Sequence, residues 1–186
     1  MIWNKHFDLE GQHAFLGASK FHWINYSEDK IKEVYSNHLK VLQGTELHEL
    51  AAKLIKFRQK LPDDGETISM YVNDSIDNEL NSEVLLRYSD FCFGTADAIG
   101  FRDKKLIIHD LKTGVIPAHI EQLEIYAALF CLEYGYKPAD LEITLRIYQN
   151  KEIFELKPEV DEIVPIMDKI VVFDNILYQI KQAKEV

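Results

Sequence analysis

Leu106-Ile107-Ile108-His109-Asp110-Leu111 is a short, nearly unbroken apolar run, and Lys112-Thr113-Gly114 closes it. The stretch lies where the hydrophobic period of the chain changes from about 3.6 to about 2 or to continuous apolar runs, so it reads as a strand. Upstream, Val84–Phe93 and Ala96–Phe101 read as two further strands, and Asp103-Lys104-Lys105 reads as a hairpin turn. Downstream, Pro117 to Tyr134 is apolar on almost all sides, the pattern of a largely buried helix with Pro117 in its first turn. Gly135 and Pro138 stop that helix. Leu141–Gln149 and Ile153–Leu156 read as a hairpin, and the apolar positions from Val160 to Tyr178 mark a closing amphipathic helix over 158–184.

The amino-terminal third is different. Ser27-Glu28-Asp29 is a helix start, a capping side chain followed by acids suited to the positive end of the dipole. Ile31, Val34, Tyr35, Leu39 and Leu42 follow at helical spacing, Gly44-Thr45 punctuates, and a second amphipathic helix runs to about Lys60. Leu61 to Glu83, with Pro62, Gly65 and many Asp and Asn, reads as a long acidic loop holding a short strand at Ile68–Val72. The expected order is α-α-β-β-β-α-β-β-α. That is a mixed α/β domain, its central sheet flanked by helices.

The chain has 186 residues, 47% hydrophobic and 28% charged, enough to bury a core without a disulfide or metal staple. Cys92 and Cys131 are too few for a disulfide framework or a four-cysteine cluster, which fits a reducing cytoplasmic setting. No window approaches a membrane span, and Met1 to Glu10 lacks the apolar segment of a secretory signal. The net charge of −10 argues against a generic nucleic-acid coat protein. The charge is uneven, however. Residues 61–90 hold eight acids against one base, whereas residues 1–60 hold nine bases and seven acids. A local surface can therefore still be basic.

Several residues stand where chemistry is done. Asp110 and Lys112 are two apart at a strand end, so their side chains share a face. Asp97, in Gly94-Thr95-Ala96-Asp97, is the only charge in an apolar stretch, a setting that excludes acids unless they are paired or bind metal. Two carboxylates and an ammonium at adjacent strand ends can hold a hard divalent cation and activate a water. Gln122 and Tyr126, four apart on the buried helix, put their polar ends on one face. Each also has a plainer reading. The Asp-x-Lys pair can be a surface ion pair, Gln122 and Tyr126 can satisfy backbone groups in the core, and His48 can be an edge residue of its helix.

Taken together, His48, Gly94-x-x-Asp97, Asp110-Leu111-Lys112-Thr113-Gly114 and Gln122-x-x-x-Tyr126 occur in the order and spacing of one family. The pattern resembles the RecB-like branch of the PD-(D/E)XK nuclease superfamily, in particular its short phage-type exonuclease-like members, and covers roughly residues 44 to 150. Ala18-Ser19-Lys20-Phe21 is similar to the serine-containing lead-in of such proteins. The resemblance implies a restriction-endonuclease-like core in a single domain over 1–186, with a helical part at 1–60, the acidic loop at 61–83, a catalytic core at 84–156 and the closing helix. It implies that His48, Asp97 and Asp110 are metal ligands for one or two Mg²⁺ or Mn²⁺ ions, with the Leu111 backbone carbonyl as a further ligand. It makes Lys112, with Asp97 and Asp110, catalytic, and Gln122 and Tyr126 supports that also contact the substrate backbone. Some relatives carry an iron–sulfur cluster; two cysteines at no ligating spacing imply none here.

The expected activity is that of a metal-dependent deoxyribonuclease acting on linear DNA from an end, in a bacterial or phage-infected cytoplasm, with recombination or replication proteins as partners and no membrane. Two other classes stay open: a nuclease-fold module that binds DNA or a partner with its chemistry idle, and an acidic interaction protein whose residues 61–90 imitate nucleic-acid charge. The filled motif speaks against the first, and the loop-like setting of the acids against the second.

Overall fold

The computed structural model describes residues 5–9, 11–114 and 116–184. Met1–Asn4 and Glu10, part of the stretch read above for a secretory signal, lie outside the described residues. The chain divides into two compact units, Met1–Gln43 and Gly44–Val186. The first holds two 3₁₀ segments, Phe7–Leu9 and Ala18–Asn25, and the start of helix α1, Glu28–Lys56, whose end belongs to the second. The helix starts as expected: the Ser27 hydroxyl accepts the Lys30 N–H at 3.2 Å, and Glu28 and Asp29 fill the first turn.

Two expectations for the amino-terminal part are corrected. Gly44-Thr45 does not end a helix; both residues belong to α1. A glycine inside a helix costs only about 1 kcal/mol against alanine, too little to stop one by itself. Gly44 has another use, because a Cβ there would lie 2.7 Å from Thr113 Oγ1. The second correction is the acidic loop over 61–83, which contains helix α2, Thr67–Asp77, in place of the strand Ile68–Val72. Its buried residues are Ser69, Tyr71, Val72 and Ser75. Two of the four are serines, so the buried stripe did not register as hydrophobic.

The second unit is built on five strands: β1 (Asn81–Arg87), β2 (Phe93–Arg102), β3 (Lys105–Leu111), β4 (Glu142–Gln149) and β5 (Glu152–Leu156). They lie side by side in chain order. Neighbours are antiparallel except β3 and β4, which run parallel. A parallel pair needs a long crossover, and helix α3, Glu121–Tyr134, supplies it. The tight turns are where they were expected. Asp103 and Lys104 have φ of 49° and 66°, and Asn150 and Lys151 have 53° and 63°, the paired left-handed residues of hairpin turns that match strand twist. The strand predicted over Val84–Phe93 is shorter, because Ser89 and Cys92 close a turn before β2 begins.

Two apolar cores sandwich the sheet. One joins α3 (Leu123, Ala127 to Cys131) and helix α4, Val160–Lys184, to Leu106, Ile108, Leu145 and Ile147. The other joins the end of α1 (Ala51, Leu54, Ile55) and α2 (Tyr71, Val72) to Ala98, Leu111 and Tyr148. A fully buried leucine such as Leu123 contributes roughly 1.5–3 kcal/mol. Helix α3 begins at Glu121 instead of Pro117. The intervening segment is held otherwise: Gln149 Oε1 accepts the Ala118 N–H at 3.2 Å while Nε2 donates to the Gly114 and Ile116 carbonyls at 2.6 and 2.7 Å. The mixed α/β class, with helices flanking a central mixed sheet, is as expected. No helix among the described residues is long and apolar enough to cross a membrane.

Candidate functional site

The residues singled out above converge at the ends of β2 and β3. The register pairs Ala98 with His109, and beyond that pair the two strands are tied by a side chain: Asp97 Oδ2 accepts the Leu111 N–H at 3.0 Å. Leu111 itself is buried in the second core. His48, on the last turns of α1, brings Nδ1 to 3.3 Å from the same Asp97 oxygen. That contact, with the Asp97 and Asp110 charges, holds the imidazole above its ordinary pKa despite partial burial. Asp97 is thus the paired acid that an apolar strand requires.

Asp110, the penultimate residue of β3, is 2% exposed. Burial first, and the neighbouring Asp97 charge second, push its carboxyl up to about 6 against the opposing pull of Lys112. Lys112 Nζ donates to Oδ1 at 3.1 Å and lies 3.0 Å from Oδ2, so the ammonium is paired with both oxygens of a buried carboxylate.

From Lys112 a relay of side chains runs onto α3 and back to β2. Nζ donates to Gln122 Oε1 at 2.9 Å, Gln122 Nε2 donates to Tyr126 Oη at 3.2 Å, and Tyr126 donates to the Thr95 carbonyl at 2.7 Å. The four-residue spacing on α3 makes the middle link. Gly94 makes the last one: a Cβ there would stand 2.9 Å from Tyr126 Cε1. The glycine of Gly94-x-x-Asp97 and the tyrosine of Gln122-x-x-x-Tyr126 are thus two halves of one contact. Tyr126 satisfies a backbone carbonyl, as the plainer reading has it, and Gln122 accepts from Lys112.

Three features went unread in the sequence. Glu83 stands across from Asp97, between the pairs Ser82–Ala98 and Val84–Ala96, with φ of 54°. Burial and the Asp97 charge raise its carboxyl above the ordinary value. Glu66 lies beside Leu111 and Lys112 around a shared cavity. Both residues belong to the acidic segment, so part of it lies beside this site. Third, His109, on the opposite sheet face from Asp110, is fully buried. Its Nδ1 is 3.0 Å from Ser75 Oγ and 3.4 Å from Tyr148 Oη, and Tyr148 donates to Asp74 Oδ2 at 2.8 Å. The strand period was a usable signal for His109; Glu83 and Glu66 left none, because only pairing and α2 bring them in.

The donor set suits a hard divalent ion, with two carboxylates and an imidazole. It is not a ready-made cage: among the described residues no three His, Cys, Asp or Glu side chains form a group that could hold a metal. Lys112 and His48 instead neutralise the two aspartates. Cys92 and Cys131 are both free and far apart in role, one half-buried before β2 and one buried in α3. No protein-family model matches the chain, and no curated protein is similar to it at a significant level.

Proposed function

We propose that the chain is a metal-dependent nuclease with a restriction-endonuclease-like core, hydrolysing phosphodiester bonds of linear DNA from an end. The observation that carries this reading is the convergence of His48, Asp97, Asp110, Lys112, Gln122 and Tyr126 in adjoining hydrogen bonds and ion pairs beside the buried Asp110 carboxylate. Asp97 and Asp110 would hold Mg²⁺ or Mn²⁺, one or two ions, with His48 and the Leu111 carbonyl completing the set. A bound ion of this kind supplies Lewis acidity toward the phosphoryl oxygen and lowers the pKa of a coordinated water. Lys112, fixed by Asp110 and Gln122, places a positive charge where the pentavalent phosphate gathers negative charge. Gln122 and Tyr126 keep that ammonium from swinging into solvent.

End dependence follows from charge. A protein of net charge −10 meets DNA through a few local cations, so binding is weak with a shallow salt slope. Recombination or replication proteins would then deliver it to a DNA end.

A second reading, a nuclease-fold DNA-binding or partner-binding module with idle chemistry, has one observation in its favour: His48 and Lys112 already pair with the two aspartates. One experiment separates the two. End-labelled linear and covalently closed circular DNA are incubated with the protein in Mg²⁺, Mn²⁺, Ca²⁺ or chelator, alongside Asp97→Asn, with Mn²⁺ affinity measured by calorimetry. The nuclease reading expects metal-dependent loss of linear DNA, and weaker Mn²⁺ binding in the variant. Binding without cleavage in any metal would establish the idle module, and rapid cutting of closed circles at physiological salt would remove the exonuclease part.

A further inference from the structure

A cavity of about 280 Å³ opens beside Lys112, near the small end of the range for ligand pockets, about 300 Å³. Its walls divide by chemistry. Leu47, Ile68 and Leu111 give it apolar lining, and Lys112, Lys151 and Glu66 give it charged lining. The elements that make it are well defined. Leu111 ends β3 and Lys112 follows it, Ile68 comes from the start of α2, and Lys151 from the left-handed turn between β4 and β5. That turn is fixed to α2 by a hydrogen bond from the Lys151 N–H to Thr67 Oγ1 at 2.8 Å.

Lys151 is presently held by an acid. Its Nζ lies 2.6 Å from Glu66 Oε1, and this pair is exposed, with half or more of each side chain in water. An exposed pair contributes little, so a phosphate can replace the carboxylate as the partner of Lys151. Glu66 is not needed for the helix it precedes, because its side chain makes no capping hydrogen bond.

We infer that this cavity is a subsite for one nucleoside monophosphate unit of the substrate, the nucleotide next to the bond that is cut. The apolar wall takes the base or sugar, Lys151 takes the neighbouring phosphate after leaving Glu66, and Lys112 is shared with the scissile phosphate. The inference rests on the nuclease reading for its substrate. The pocket chemistry alone would also accept a free nucleoside monophosphate, and the test separates these sources.

In chelator, where no cleavage occurs, the full chain is titrated with dAMP, deoxyadenosine and a short single-stranded oligonucleotide, using the wild type, Lys151→Gln and Glu66→Gln. Circular dichroism checks that both variants are folded. The expected result is oligonucleotide affinity about tenfold weaker in Lys151→Gln, with a salt slope shallower by about 0.7, the contribution of one single-strand phosphate. Glu66→Gln should bind severalfold more tightly. The dAMP arm should show the same ranking, and deoxyadenosine should bind more weakly than dAMP to the wild type. Unchanged oligonucleotide and dAMP affinity in Lys151→Gln, in a protein that still degrades linear DNA, overturns the subsite and leaves the nuclease standing. Lys151-dependent binding of dAMP, in a protein that cleaves no DNA in any metal, keeps a nucleotide pocket and removes the nuclease. Absence of binding to both ligands in the wild type overturns the subsite.

Discussion

Gly94→Ala is a one-methyl change that tests whether the two halves of the motif meet as described. The added Cβ would stand 2.9 Å from Tyr126 Cε1, and 3.7 Å from both Cζ and Oη of the same ring. The ring is stiff and already anchored by its bond to the Thr95 carbonyl, so either the backbone or the ring must give. Overpacking of this kind costs roughly 1–3 kcal/mol, and a broken Tyr126–Thr95 bond adds about 1 kcal/mol. Against it, alanine is favoured over glycine in a strand by roughly 0.5–1 kcal/mol. The balance is a loss of about 2 kcal/mol, which lowers the melting temperature by roughly 4–8 °C in a domain of this size. The assay is a double-mutant cycle in calorimetry or denaturant melts, with Tyr126→Ala as the partner. In the Tyr126→Ala background the clash is gone, and Gly94→Ala should become neutral or mildly stabilising, a coupling of about 2 kcal/mol. Equal effects of Gly94→Ala in both backgrounds would refute the contact and the link it makes between the two motif halves.

Lys112→Ala removes the ammonium that Asp110 and Gln122 both hold, and should reduce DNA cleavage by at least ~10²-fold while the protein stays folded; wild-type turnover in that variant would remove Lys112 from the chemistry. His109, buried and pushed down to about 3 chiefly by burial, is neutral in the fold but takes up a proton when unfolded below about pH 6.5. Its contribution is therefore complete above pH 6.5 and is lost as pH falls toward about 3, at up to ~1.4 kcal/mol per pH unit. The stability difference between wild type and His109→Gln should shift by about 2 kcal/mol between pH 7 and pH 5, and an identical pH slope in the two proteins would contradict this. Burial pushes the Cys131 thiol up to about 11, so a disulfide reagent at pH 8 should leave Cys131 of a Cys92→Ser variant unmodified until denaturant is added; immediate labelling of the native variant would show that α3 opens.

Periodicity alone determined the mixed α/β class, the strand at Leu106–Leu111, the turns at Asp103-Lys104 and after Gln149, the capped start of α1 and the closing helix. These are local properties, written in two- and four-residue spacings that the backbone obeys wherever it is placed. The motif spacing likewise marked the six side chains that meet, because Asp110 and Lys112 share a strand face and Gln122 and Tyr126 a helix face before any folding is considered. Tertiary structure decided the rest. It carried α1 through Gly44, where close approach to Thr113 uses the missing Cβ. It made α2 from a segment whose buried stripe is half serine. It set Glu83 opposite Asp97 and drew Glu66 and Lys151 to the edge of Lys112, across separations of 14 to 46 residues that no spacing rule spans. A residue's own neighbours determine its conformation; what it faces depends on strand pairing and helix packing, and those are settled only when the whole core is buried.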